Sequence, residues 1–121
     1  MEIITDIDRM NEILNEHNNE KARIWLFDIT HIKLAIRIYS SKSDEVIYLV
    51  MVGCEYIRGF FNLTNPRLSV SQYINDENSD IMFKVIDNKT DFELIATGGI
   101  TLAKGNESEF GNSLEKFLLN V

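Results

Sequence analysis

The apolar run VIYLVMV, at residues 46–52, constrains the fold of this chain more than any other segment. Its β-branched and aromatic residues favour a strand. At seven residues, it is far shorter than the roughly 20 that a membrane-spanning helix needs. A strand that is apolar on both faces must be covered on both sides, or enclosed by a curled sheet. The run therefore predicts a central strand inside a substantial core.

Helical periodicity marks both ends of the chain. Apolar residues recur at helical spacing over residues 3–14, with Thr5 as the expected N-cap. A second apolar stripe covers residues 110–121, behind a cap formed by Asn106 and Glu109. The sequence predicts an N-terminal and a C-terminal helix.

Between these stripes the apolar period changes to two, which is the period of a strand. Alternating segments separated by short polar turns predict an antiparallel meander of about six strands. The segment GGITLAKG, which contains residues 99–104, is interpreted as a short last strand. Two helices packed on one face of this sheet give a single α+β domain over residues 1–121.

The charge of the chain narrows the class of partner. Nineteen acidic against twelve basic residues give a net charge of −7, which repels nucleic acid phosphates and anionic lipids. Six acids fall in the first 22 residues and nine in the last 47, so we expect an acidic region where the ends meet. A single cysteine and an opening without a signal-peptide pattern predict a cytoplasmic protein that neither enters membranes nor binds nucleic acid.

The most site-like segment is VGCEYIRGFFNL, at residues 52–63. Gly53 leaves room in a strand for a bend or a bulge, and Glu55 follows it on the same face, as at the mouth of a pocket. Strict alternation places Cys54 and Tyr56 on the other face, beside Val52. A shared site therefore requires a bulge at Gly53 that resets the faces.

The same segment also has a purely structural interpretation. In it, Cys54 is an inert core thiol, unless it lies in an electropositive pocket with a base such as His31. Glu55 is then exposed, or paired with an arginine such as Arg37 or Arg67. This reading is favoured because most residues at strand ends serve the fold.

The adjacent aromatics Phe60 and Phe61 follow the bend at Gly59. Such a pair in a connecting segment either plugs the core or anchors a partner. The plug is favoured, because buried aromatics supply much of the apolar area of a small core.

Two segments resemble a calcium-binding loop and a phosphate-binding loop, but neither has the full pattern. Asp76, Asn78, Asp80 and Asp87 occupy positions 1, 3, 5 and 12 of the calcium pattern, but Ile81 stands where a glycine is needed. A solvated hairpin turn fits better. The glycines of TGGITLAKG lack the spacing of a phosphate loop, and we expect no metal and no cofactor.

These features favour a small acidic cytoplasmic domain that binds another protein, as inhibitor or immunity proteins do, without catalysis. The alternative is a small-molecule-binding or enzymatic pocket at the end of the central strand around Glu55. A third hypothesis is assembly of two copies through a strand edge or the aromatic pair. The candidate pocket or interaction residues are Glu55, Tyr56, Arg58, Phe60 and Phe61.

Overall fold

The computed structural model describes residues 1–16, 20–30 and 32–110. These residues form a curled half-barrel of antiparallel strands with two short helices. The helices are α1 (Ile7–Glu16) and α2 (Glu107–Phe110). The strands are β1 (Glu2–Ile4), β2 (Lys21–Asp28), β3 (Lys33–Tyr39), β4 (Glu45–Arg58), β5 (Asn62–Thr64), β6 (Leu68–Ile74), β7 (Ile81–Asp87) and β8 (Glu93–Asn106).

The two long strands β4 and β8 form the centre of the sheet. Their ladder runs from the pair Glu45↔Asn106 to the pair Arg58↔Glu93. The strand order is β5-β2-β3-β4-β8-β7-β6, with β1 on β8. The predicted combination of helices with an antiparallel sheet is confirmed, and the sheet dominates. The single six-stranded meander is wrong, because β4 pairs with β8 and so joins two separate three-stranded meanders.

The N-terminus differs from the predicted helix, which counted Ile3 in its apolar stripe and had Thr5 as its N-cap. Glu2–Ile4 forms β1 and pairs with β8, beside the stretch of β8 that β7 leaves free. Helix α1 begins only at Ile7, because Asp6 is its N-cap and accepts a hydrogen bond from Arg9 N at 2.9 Å. Thr5 is not the cap. Residues 2–4 are extended because they pair with β8, and a helical pattern in the sequence cannot indicate this pairing.

Both faces of β4 are covered, as its sequence predicts. The inner face is the one that carries α1, and its core includes Ile47, Leu49 and Met51 of β4. The outer face packs Val46, Tyr48 and Val50 against Phe110 of α2. Because β4 is apolar on both sides, each face needs its own cover.

The two helices therefore contribute to opposite cores, and the prediction that they share one face is wrong. The predicted cap of α2 is confirmed, since Asn106 N donates a hydrogen bond to Glu109 Oε1 at 2.9 Å. The rest of the C-terminal stripe, residues 111–121, lies outside the described residues. No helix in the described ranges is long and apolar enough to cross a membrane.

Residues 99–104 are strand, as predicted, but they continue the preceding segment as one strand, β8. Gly98 lies close against β4, because a Cβ there would be 2.9 Å from Val52 O. A glycine at this point therefore allows the strand to continue instead of ending it.

Asn11 of α1 closes part of the exposed edge of β6. Its Nδ2 donates to Val70 O at 2.8 Å, and Val70 N donates to its Oδ1 at 2.8 Å. One side chain thus replaces a neighbouring strand at this position. These two bonds fix α1 against the sheet and protect an edge that could otherwise pair with another chain.

Candidate functional site

The strand β4 contains a bulge at Gly53. This residue has a φ of +71°, a conformation that favours glycine. Gly53 N and Cys54 N both donate to Ile32 O, at 3.0 and 3.1 Å, so one carbonyl on β3's side serves two successive amides. The register on β8 shifts twice here, as shown by the pairs Val52↔Gly99, Cys54↔Ala96 and Tyr56↔Ile95.

The bulge changes which side chains reach the inner face. Cys54 packs against the inner core. The second register shift restores the original alternation, so that Ile57, like Met51, lies on the inner face, where it pairs with Leu94 of that core. The prediction that Cys54 continues the outer face of β4 is wrong, because it assumed unbroken alternation. Glu55 and Tyr56 lie together at the second register shift and remain exposed.

A second bulge, in β2, has the same effect on the facing side of the half-barrel. Ile24 pairs with Ile36 but Leu26 pairs with Ala35, which leaves Trp25 as the extra residue. Beyond it, Phe27 pairs with Leu34 of the inner core. An aromatic side chain is thereby directed to the inner face near the end of the sheet, although 49% of it stays exposed.

The connection from β4 to β5 crosses the open end of the sheet. The chain leaves β4 at Gly59, where φ is +116° and a Cβ would lie 2.9 Å from Phe92 Cα. It then reaches the outer edge of β2, where Ile24 N donates to Phe61 O at 2.9 Å and β5 begins. This crossing segment, residues 59–61, places Phe61 beside the inner face.

Together these features enclose a cavity of about 360 Å³ at the end of the inner face. Its walls come from β2, β3, β4, β8 and the crossing segment. Helix α1 covers another part of the same face, where it packs against β6 at the opposite edge of the sheet. The lining residues are Ile24, Phe27, Leu34, Cys54, Glu55, Tyr56, Ile57, Phe61 and Leu94. The volume lies near the lower end of the range typical of small-molecule sites, about 300–1,000 Å³.

The thiol of Cys54 is not activated in this cavity. Burial raises its pKa to about 11, so it is protonated at neutral pH. Its Sγ lies 3.8 Å from Met51 O, which it contacts as a weak donor. The arrangement agrees with the predicted inert thiol, because a nucleophilic cysteine needs a lowered pKa. His31, the base considered for it, lies outside the described residues.

The structure brings together only part of the predicted site. Glu55, Tyr56 and Phe61 line the cavity, whereas Arg58 and Phe60 do not. Arg58 is held at the sheet edge, where its Nε donates to Asp91 O at 2.9 Å.

The aromatic pair is exposed, with 78% of Phe60 and 66% of Phe61 accessible to solvent. The prediction that they plug the core is therefore wrong, because the crossing segment runs along the rim of the inner face. The side chain of Glu55 is exposed, and its carboxylate has no ion pair or hydrogen bond to any residue in the described ranges. Arg37, suggested as its partner, pairs with Glu107.

Sequence reasoning missed the cavity residues on the neighbouring strands, which are Ile24, Phe27, Leu34 and Leu94. Their positions depend on the two bulges and on pairing between strands distant in sequence. One signal was present: the run IWLF at residues 24–27 has no alternation, and a bulge in β2 explains it.

The calcium pattern does not come together. Asp76 and Asp80 lie in the β6–β7 turn, and Asp87 lies at the far end of β7. Asp87 is buried and accepts hydrogen bonds from Arg67 N at 2.8 Å and Thr90 Oγ1 at 2.9 Å. Across the described part of the chain, no group of three or more His, Cys, Asp or Glu residues could hold a metal ion.

Comparison with known proteins found no family model, no curated protein and no solved structure that matches this chain. Function is therefore argued from the cavity and its surroundings. The cavity offers an apolar surface, a protonated thiol and, at its rim, a carboxylate that no described side chain pairs with. This set suits binding better than proton transfer or covalent chemistry.

Proposed function

We propose that this domain binds a small apolar molecule in the cavity at the open end of its half-barrel. The observation that carries the proposal is the cavity itself, about 360 Å³ in volume and lined almost entirely by apolar side chains. A small-molecule pocket around Glu55 is the alternative hypothesis that the sequence supports. The cavity lies on the inner face beside Glu55, which stands at its rim.

Several side chains that line the cavity leave apolar surface exposed to water. Phe27, Ile57 and Phe61 line the cavity and are 49%, 41% and 66% exposed. A ligand that covers them removes apolar area from water, at about 25 cal/mol per Å². The two bulges and the crossing segment, which begins at Gly59, position these side chains around the cavity. Binding therefore requires little rearrangement of the backbone.

Fluorescence of a neutral apolar probe, N-phenyl-1-naphthylamine, tests the proposal. We expect saturable enhancement at one site per chain. Ile57→Trp fills the cavity from a partly exposed position and should weaken probe binding at least about tenfold, because the probe loses its space. Ile81→Trp is the matched control, since Ile81 is 48% exposed at the start of β7 and does not line the cavity.

The outcomes separate clearly. Equal loss of probe binding in both variants, or no saturable binding to the unmodified protein, would contradict the proposal. Calorimetry adds a second readout: burial of apolar surface should give a negative heat capacity of binding.

A protein partner is the second candidate, and the exposure of Phe60 favours it. This side chain is 78% exposed and does not line the cavity, so the cavity ligand does not explain it. Exposed aromatic residues are common anchors at interfaces. The acidic segments at the two ends of the chain could supply the charged part of such an interface, against a basic protein surface.

Salt dependence distinguishes the two parts of that hypothesis. An interface driven by the acidic segments should weaken as salt rises, because exposed charges are screened beyond about 10 Å at 0.1 M. One driven by Phe60 should persist in salt and be lost in Phe60→Ser. Sedimentation analysis of the unmodified protein and of Phe60→Ser tests the third hypothesis, self-association. If Phe60 joins two copies, Phe60→Ser should lower the measured mass.

A further inference from the structure

The cavity of the proposed function has an unbalanced charge at its rim. Among the described residues that line the cavity, Glu55 is the only acidic one, and the thiol of Cys54 is protonated at neutral pH. No lysine, arginine or histidine of the described residues lines it. Of the described lining residues, a molecule entering the cavity therefore meets a carboxylate and no cationic side chain.

The arginine closest in sequence, Arg58, is engaged elsewhere. Its Nε donates to Asp91 O at 2.9 Å, and its Nη2 lies 3.9 Å from Glu93 Oε2. Glu93 adds a second negative charge beside this end of β4, because it pairs with Arg58 at the last position of the ladder. Arg58 thus compensates Glu93, and no cationic side chain in the described ranges forms an ion pair with Glu55.

We infer that the cavity selects uncharged apolar molecules and rejects those with an anionic head group, such as fatty acids. An anionic head group at the rim would lose hydration without gaining an ion pair, and it would be repelled by Glu55. The net charge of −7 acts in the same direction at longer range. An alcohol or a hydrocarbon of the same length bears neither cost.

This inference rests on the proposed function, and one competition experiment tests both. Octanol and octanoate displace N-phenyl-1-naphthylamine from the unmodified protein, from Glu55→Lys and from Glu77→Lys, at low ionic strength. The measured quantity is the ratio of the octanoate Kd to the octanol Kd. Glu77 is the matched control, since it is an exposed acid in the β6–β7 turn and does not line the cavity.

We expect octanoate to bind at least about tenfold more weakly than octanol to the unmodified protein. Glu55→Lys should lower the ratio at least about fivefold, because repulsion becomes attraction at short range. Glu77→Lys should change it less than about twofold, because Glu77 does not line the cavity and the interaction of two charges through water weakens with distance. If the probe binds and the ratio is near one, or is the same in both variants, the inference is wrong and the proposed function stands. If the probe does not bind at all, both are wrong.

Discussion

The bulge at Gly53 positions the cavity wall, and replacing this residue tests that role. Gly53→Ala keeps the strand but adds a Cβ at a φ of +71°. A left-handed conformation costs a residue other than glycine about 1–2 kcal/mol. The new Cβ would also lie 2.8 Å from Thr97 Oγ1 and 3.0 Å from Gly98 N, and the second contact is with backbone that cannot rotate away.

The reduced flexibility of the unfolded chain offsets about 0.4–1 kcal/mol of this cost. The two close contacts add about 1 kcal/mol or more. We therefore expect Gly53→Ala to lower the free energy of unfolding by about 2 kcal/mol. Urea unfolding followed by the fluorescence of Trp25, the only tryptophan, measures the loss. Probe binding should weaken at 25 °C under conditions where the variant is still folded, because the altered bulge moves Cys54 in the wall.

A variant of Thr97 separates the steric cost of the added Cβ from the cost of the left-handed backbone. Its Oγ1 donates to Gly53 O at 3.4 Å, a weak bond whose loss should cost little. In the double variant with Thr97→Ala, the added Cβ no longer meets the hydroxyl, so the penalty should shrink but not vanish. A loss below about 0.5 kcal/mol for Gly53→Ala alone would show that the backbone at this bulge is not strained by a side chain.

Three further predictions concern named contacts. Asp87→Ala removes a buried acceptor of Arg67 N and should destabilise the protein by about 2–4 kcal/mol. Asp87→Asn keeps that acceptor oxygen and should cost clearly less in the same urea titration, so equal losses would exclude the carboxyl hydrogen bonds as the cause. Asn11→Ala removes both hydrogen bonds to Val70 and should cost about 1–2 kcal/mol. Asn11→Asp keeps the acceptor of Val70 N but loses the donor to Val70 O, so its loss of stability should be intermediate; a stability equal to that of the unmodified protein would show that the donor contributes nothing. Alkylation of Cys54 by iodoacetamide should accelerate about tenfold per pH unit from pH 8 to 10 in the folded protein, because its pKa is about 11. In urea the same rate should level off near the ordinary pKa, and a plateau at pH 8 in the folded protein would contradict the burial of the thiol.

The sequence by itself determined the centre of this fold. Seven apolar residues in a row demand cover on both sides, and β4 is covered on both sides. Local signals also sufficed for the cap of α2 at Asn106 and for the strand character of residues 99–104. Each of these depends on neighbours within a few positions, where periodicity and capping chemistry act directly.

Only the tertiary structure decided which strands pair and which side chains meet. β1 pairs with β8 across most of the chain length, and no local pattern distinguishes that partner from another edge. The bulge at Trp25 reverses the alternation beyond it, and the bulge at Gly53 brings Cys54 to the inner face, so residues assigned to one face by counting lie on the other. Because a one-residue register shift inverts every later side chain, the cavity follows from backbone pairing rather than from any motif in the sequence.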